Sequence, residues 1–115
     1  MRPDWLEIPT KDIESSKKFY TKVLGWKYEE RKNGMTLIRD GKGQFGHFWP
    51  LKGKLPARPQ VSLYLEVSSI SPILKKVIGS GGKIVQEKTK LPDGMGYVGE
   101  FSDPIGIVWG LHSRK

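Results

Sequence analysis

The sequence predicts an α+β fold built from two similar βαβββ modules. Short segments alternate apolar and polar residues as strands do, and two longer segments repeat apolar residues at the helical spacing. A shift of 57 residues superposes the opening strand and helix of the two halves, pairing Leu6 with Leu63 and Gly25 with Gly82. We therefore expect an internal duplication, in which each half supplies one module.

The first module is predicted over residues 4–50. Asp12 can cap a helix from Ile13 to Leu24, and Gly25 permits the left-handed residue that ends it. Strands are predicted at 5–9, 26–30, 35–40 and 44–50, the first stopping at Pro9 and the middle two joined by a two-residue Asn33-Gly34 hairpin. The predicted inward stripe of the helix is Ile13, Ser16, Phe19, Tyr20 and Val23.

The second module is predicted over residues 61–113, after a linker at 51–60 in which Pro56 and Pro59 break regular structure. Ser69 can cap a helix from Ile70 to Gly79, and Pro72 falls in its first turn, where a missing N–H is harmless. Strands are predicted at 61–67, 83–88, 97–102 and 107–112. Because neither half can cover its sheet alone, residues 1–115 are expected to form one domain.

The composition is that of a globular chain and excludes several kinds of chemistry. Of its 115 residues, 37% are hydrophobic and 28% are charged, both close to the average for folded domains. The sequence contains no cysteine, which excludes disulfides, thiolate metal sites and cysteine nucleophiles. It has no apolar run near the roughly 20 residues of a membrane helix and no secretory-signal pattern. We expect a cytoplasmic protein without a membrane partner.

The formal net charge of +8 raises the question of an anionic partner. The basic residues are scattered in pairs such as Lys17-Lys18 and Lys75-Lys76, and no nucleic-acid motif accompanies them. A solvated charged surface is the simpler interpretation. Nucleic acid is therefore not expected as a partner, while an anionic small molecule stays open.

Three segments of the chain resemble those of a known family. The segments WLEIPTKDI at 5–13 and FYTKVLGW at 19–26 resemble the opening of the vicinal oxygen chelate superfamily, and FSDPIG at 101–106 resembles its ending. That superfamily contains glyoxalase I, bleomycin-resistance proteins, fosfomycin-resistance enzymes and extradiol dioxygenases. The resemblance covers nearly the whole chain. It implies a single glyoxalase-like domain, in which the two modules form a cupped mixed sheet with the helices packed on its outer face. It also implies that the domain binds a small molecule and forms a homodimer.

The resemblance also locates the metal slots of the superfamily, one in the first and one in the last strand of each module. They fall here on Trp5, His47, Ser62 and Gly110. Only His47 binds a divalent metal well, because tryptophan has no lone pair to offer, glycine has no side chain, and a neutral serine hydroxyl is a poor ligand. We therefore expect no cofactor. A divalent metal held by His47, Glu7 and His112 remains an alternative, since strand alternation turns all three toward the cup.

The cup face is predicted to combine aromatic rings with a few titratable groups, as small-molecule pockets do. The predicted ligand-binding residues are Trp5, Glu7, Phe45, His47, Trp49, Ser62, Tyr64, Gly110 and His112.

Two functions are compatible with such a face. One is metal-independent binding of an aromatic or anionic small molecule. The other is an enzyme, acting by lyase, isomerase or dioxygenase chemistry at an atypical metal site or by proton transfer. Glu7 and His47 are the candidate catalytic residues for proton transfer.

Overall fold

The computed structural model describes residues 1–52 and 61–115, so most of the predicted linker lies outside the described residues. The chain forms two compact units, Trp5–Val61 and Ser62–Lys115 with Met1–Asp4. Each module runs strand, helix and three strands, which confirms the predicted α+β class and the repeated βαβββ order. No described helix has the length and apolar character needed to cross a membrane.

The first module is a mixed four-stranded sheet with one helix. Its strand order is β2-β3-β4-β1, with β1 and β4 parallel and the other pairs antiparallel. Its elements are β1 (Pro3–Thr10), α1 (Ile13–Leu24), β2 (Lys27–Glu30), β3 (Thr36–Asp40) and β4 (Gly43–Pro50).

Helix α1 begins and ends where its caps predict. The Asp12 carboxylate accepts from the Ser15 N–H at 3.1 Å, and Gly25 adopts the left-handed conformation with φ 73°. Ile13 and Tyr20 pack against the buried core of the module, which consists of Ile8, Ile38 and Phe48.

The predicted inward stripe of α1 is wrong at Phe19 and Val23, whose side chains are 59% and 58% exposed. Successive helical residues lie about 100° apart. Phe19 therefore lies at the exposed edge of the helix face that carries Tyr20. The two rings meet edge to face, with their centroids 5.2 Å apart.

Lys17 ties α1 to β2. Its ammonium group pairs with Glu30 and, at 3.4 Å, with Glu14, while the Tyr28 hydroxyl donates to the Lys17 carbonyl at 3.1 Å. The hydrogen bond to Glu30 raises the pKa of Lys17 above its ordinary value. The helix is thereby held on the sheet by polar contacts as well as by its core residues.

The second module repeats this plan with strand order β5-β8-β7-β6 and a parallel β5–β8 pair. Val67, Ile70, Leu74 and Leu111 form its buried core. Its elements are β5 (Ser62–Glu66), α2 (Ile70–Gly79), β6 (Lys83–Lys90), β7 (Tyr97–Ser102) and β8 (Val108–Ser113).

The structure differs from the sequence prediction at the end of β1 and at the connection between β2 and β3. Strand β1 continues through Pro9 to Thr10, because a proline lacks only the backbone N–H donor. The Thr10 carbonyl still accepts a hydrogen bond from the Leu51 N–H at 2.8 Å. Asn33 and Gly34 lie within a longer connection between β2 and β3, in which the Gly34 N–H donates to the Arg31 carbonyl at 3.0 Å. The two-residue hairpin does not form.

Phe48 lies in the buried core of the first module, and its side chain is only 2% exposed. Phe48→Ala should lower the free energy of unfolding by about 3–5 kcal/mol, because it leaves a cavity between sheet and helix. The neighbouring Trp49 is 53% exposed, so Trp49→Ala should cost no more than about 1 kcal/mol. Urea unfolding measures both, and equal losses would contradict this placement of the core.

Candidate functional site

The first module brings three predicted site residues together. Because β1 and β4 are parallel neighbours, Glu7 lies directly opposite His47 in the sheet. The Trp5 indole Nε1–H donates to His47 Nδ1 at 2.8 Å, and His47 Nε2 lies 2.9 Å from Glu7 Oε2. We call these three residues the Trp5–His47–Glu7 triad.

The hydrogen-bond partners of His47 determine which of its ring nitrogens carries a proton. The indole N–H of Trp5 can only donate, so His47 Nδ1 must accept and carries no proton. The single ring proton of His47 is therefore on Nε2, which donates to the Glu7 carboxylate. This assignment follows from the hydrogen-bond partners. It makes His47 a neutral imidazole, and the triad as a whole carries one negative charge.

The triad is partly shielded from water. The His47 and Glu7 side chains are 13% and 20% exposed. The Trp5 and His47 rings are tilted by 35°, with their centroids 5.9 Å apart. A partly desolvated carboxylate beside an imidazole N–H forms a stronger hydrogen bond than it would in water.

Trp49 supplies an accessible ring next to the triad. It follows His47 by two residues in β4, and the intervening Phe48 is buried on the opposite face. Trp49 is opposite Pro9, just beyond the Glu7–His47 pair in the sheet. With its side chain about half exposed, Trp49 offers a flat apolar surface to a ligand.

Phe45 lies elsewhere. Ile38 pairs with Gly46 and Arg39 pairs with Gln44, which leaves Phe45 as the extra residue of a β-bulge. A bulge interrupts the alternation of faces. The Phe45 ring consequently packs edge-on against Trp26, with centroids 4.9 Å apart, and joins the helix-side core. The predicted placement of Phe45 beside His47 is therefore wrong.

The corresponding position in the second module is filled by a ring. Tyr64 is opposite Gly110 in the parallel β5–β8 pair. A Cβ atom at Gly110 would come within 2.5 Å of the Tyr64 ring. Tyr64 thus occupies the space of any side chain at Gly110, and Ser62 is half-buried two residues earlier in β5.

His112 has a separate set of partners. Its Nε2 donates to the Met95 carbonyl at 2.6 Å, and its Nδ1 lies 2.6 Å from Glu66 Oε2. Met95 belongs to the turn between β6 and β7, so His112 holds that turn on β8. Sequence reasoning missed Met95, since nothing in the pattern signals a long-range contact to a loop carbonyl.

Comparisons with known proteins identify the family. The sequence matches the Glyoxalase/Bleomycin resistance protein/Dioxygenase superfamily over residues 2–111. The putative glyoxylase CFP32 of Mycobacterium tuberculosis is 26% identical over an alignment of 116 residues, covering 95% of this chain and 44% of that protein. The chain therefore spans less than half the length of this relative.

Solved structures share the fold. The hypothetical protein BH1468 from Bacillus halodurans has a TM-score of 0.74 at 17% identity, covering 99% of this chain and 94% of its own. An Mn(II)-bound glyoxalase from Novosphingobium aromaticivorans has a TM-score of 0.68 at 17% identity, covering 97% of this chain and 38% of its own. The chain belongs to the Glyoxalase/Bleomycin resistance protein/Dioxygenase superfamily.

The residues at the metal slots of this superfamily do not fit a metal ion. In the first module the indole N–H of Trp5 and the carboxylate of Glu7 occupy the two nitrogens of His47. In the second module the Tyr64 ring fills the space beside Gly110. Across residues 1–52 and 61–115, no three His, Asp or Glu side chains are grouped as ligands. His112, the third residue of the alternative ligand set, is engaged by Glu66 and the Met95 carbonyl within its own module.

The Tyr64–Gly110 contact makes a prediction. Gly110→Ala should lower the free energy of unfolding by about 1–3 kcal/mol, because its methyl group overlaps the Tyr64 ring. In a Tyr64→Ala background the same substitution should cost less than about 0.5 kcal/mol. A double-mutant cycle by urea unfolding measures the coupling, and additive losses would show that Tyr64 does not fill this space.

Proposed function

We propose that the chain is a metal-independent small-molecule-binding protein whose site is the Trp5–His47–Glu7 triad with the adjacent Trp49. The observation that carries the proposal is the engagement of both ring nitrogens of His47, one by the Trp5 N–H and one by Glu7. A metal ion would need a free nitrogen lone pair at this residue. The histidine instead fixes the position of a carboxylate.

The chemistry of the site favours an aromatic ligand. Trp49 presents a half-exposed ring, and the triad beside it supplies hydrogen-bond acceptors. Small-molecule sites usually combine apolar surface with a few orienting polar groups. Family membership supports the same function, since the superfamily includes bleomycin-resistance proteins. A likeness to an Mn(II)-bound glyoxalase at 17% identity concerns the fold.

Catalysis by proton transfer is the second candidate function. It is favoured by the 2.9 Å hydrogen bond between neutral His47 and the Glu7 carboxylate, which leaves Glu7 ionised and able to take a proton from a substrate. Incubation with carbonyl compounds in D2O, followed by proton NMR, would detect exchange next to the carbonyl. Exchange that Glu7→Gln abolishes would establish this function, and its absence would leave binding as the role.

The homodimer that the family resemblance implies is also a proposal, and sedimentation velocity tests it directly. A dimer would appear as a species of twice the chain mass at micromolar concentration. A monomer at all concentrations would contradict it.

The two occupied nitrogens of His47 predict that the wild-type protein binds no metal at this residue. After treatment with EDTA and dialysis, wild-type protein should take up no stoichiometric Zn²⁺ or Mn²⁺ by elemental analysis. Trp5→His should bind Zn²⁺ at least about tenfold more tightly by calorimetry, because it removes the N–H that occupies His47 and adds a nitrogen donor. The matched control Ile78→His adds an imidazole at an exposed position of α2 in the second module and should bind like wild type.

Binding itself is tested by screening neutral aromatic fragments in the presence of EDTA. Ligands should shift the indole N–H signals of Trp5 and Trp49 in proton–nitrogen NMR spectra. Val85→Ala, at an exposed position of β6, is the control substitution and should leave their affinities unchanged. Stoichiometric metal in the wild type that His47→Ala removes would overturn the proposal, as would the absence of any fragment acting at Trp5 or Trp49.

A further inference from the structure

We propose that the ligand of the triad is an aromatic cation, which binds through N–H donors to Glu7 and through a ring to Trp49. This inference rests on the proposed function and names its ligand class. Its basis is a comparison of the two histidine–glutamate pairs, His47–Glu7 and His112–Glu66, which hold different numbers of protons and therefore differ in net charge.

The triad has a net charge of −1, because its histidine is neutral and its glutamate is ionised. The Trp5 N–H occupies His47 Nδ1, so the imidazole carries only its Nε2 proton and remains neutral. That proton is donated to the Glu7 carboxylate at 2.9 Å. Within residues 5–52, Glu7 has no lysine or arginine partner. The negative charge of Glu7 is therefore not balanced by an ion pair in its own module.

The second histidine–glutamate pair is neutral overall, which gives an internal comparison. His112 Nε2 faces a carbonyl and must donate, while His112 Nδ1 lies 2.6 Å from Glu66 Oε2. A bond between that nitrogen and a carboxyl oxygen needs a further proton between them. Whichever atom holds it, the pair has no net charge. Each module thus contains one histidine–glutamate pair, but the pair in the first module is negative and the pair in the second is neutral.

Glu7 keeps the capacity to bind a donor from outside. A carboxylate can accept about four hydrogen bonds, and His47 uses one. The Glu7 side chain is 20% exposed, so it is reachable yet partly desolvated. Charge-assisted hydrogen bonds to such a group are roughly twice as strong as neutral ones. A cation would also gain from the face of the half-exposed Trp49 ring.

The overall charge of the chain acts in the opposite direction at long range. A net charge of +8 attracts anions toward the surface. Salt screens this field over about 8–10 Å, whereas a direct contact with Glu7 is screened much less. The local carboxylate therefore decides the preference of the site, and an anionic ligand would meet an uncompensated negative charge there.

Three nearly isosteric probes test the charge preference at neutral pH: benzamidine as the cation, benzamide as the neutral molecule and benzoate as the anion. Titrations followed at the indole N–H signals of Trp5 and Trp49 should give an affinity for benzamidine at least about tenfold above that for benzamide, with benzoate weakest. Glu7→Gln keeps an acceptor for His47 but removes the charge, so it should erase the preference for benzamidine.

The matched control is Glu66→Gln, which alters the neutral pair of the second module and should leave the order of the probes unchanged. Equal affinities, or tighter binding of benzoate, would overturn the charge inference while the proposed binding function stands. Failure of all three probes would also overturn the inference, whereas the proposed function is decided separately by the neutral fragment screen. A benzamidine preference that survives Glu7→Gln would show that the charge of Glu7 is not its source.

Discussion

The hydrogen bond from the Trp5 indole to His47 Nδ1 determines the chemistry of the site. A tryptophan N–H can only donate, so one contact of 2.8 Å fixes the tautomer, the charge and the orientation of the imidazole. The same contact directs the remaining proton of His47 to Glu7. Trp5 in β1 thus sets the proton position on His47 in β4, and His47 in turn leaves a negative charge on Glu7, the carboxylate that a ligand would meet.

The two modules share a fold plan and have diverged at their sites. Each has a parallel pair formed by its first and last strands, and this pair sets side chains of the two strands opposite each other. In the first module the pair brings Glu7 beside His47. In the second it brings the Tyr64 ring over Gly110, so that steric contact replaces a polar site. The duplicated architecture therefore supports one polar triad and one filled position.

Much of the fold follows from local signals in the sequence. The bounds of both helices were predicted correctly because their start and stop residues act locally, as the Asp12 bond to Ser15 and the left-handed Gly25 illustrate. Ser69 stands at the predicted start of α2 without a side-chain capping bond, so hydrophobic periodicity was the stronger signal there. Alternation along the strands placed Glu7 and His47 on one face.

The site could be predicted only in part. Alternation failed at Phe45, because a one-residue bulge depends on how β4 pairs with β3 and has no signature in β4 itself. The Trp5–His47 bond and the His112–Met95 bond join residues 42 and 17 positions apart. Their formation depends on strand register and side-chain rotamers, which composition and spacing do not specify.

The most direct test of this account is the proton position on His47. Proton–nitrogen NMR of the imidazole rings at neutral pH should show a protonated Nε2 and an unprotonated Nδ1 that accepts a hydrogen bond. Trp5→Phe should change the Nδ1 signal specifically, because it removes the indole donor. A proton found on Nδ1, or on both nitrogens, would contradict the neutral His47 from which the metal-free site and its negative charge are derived.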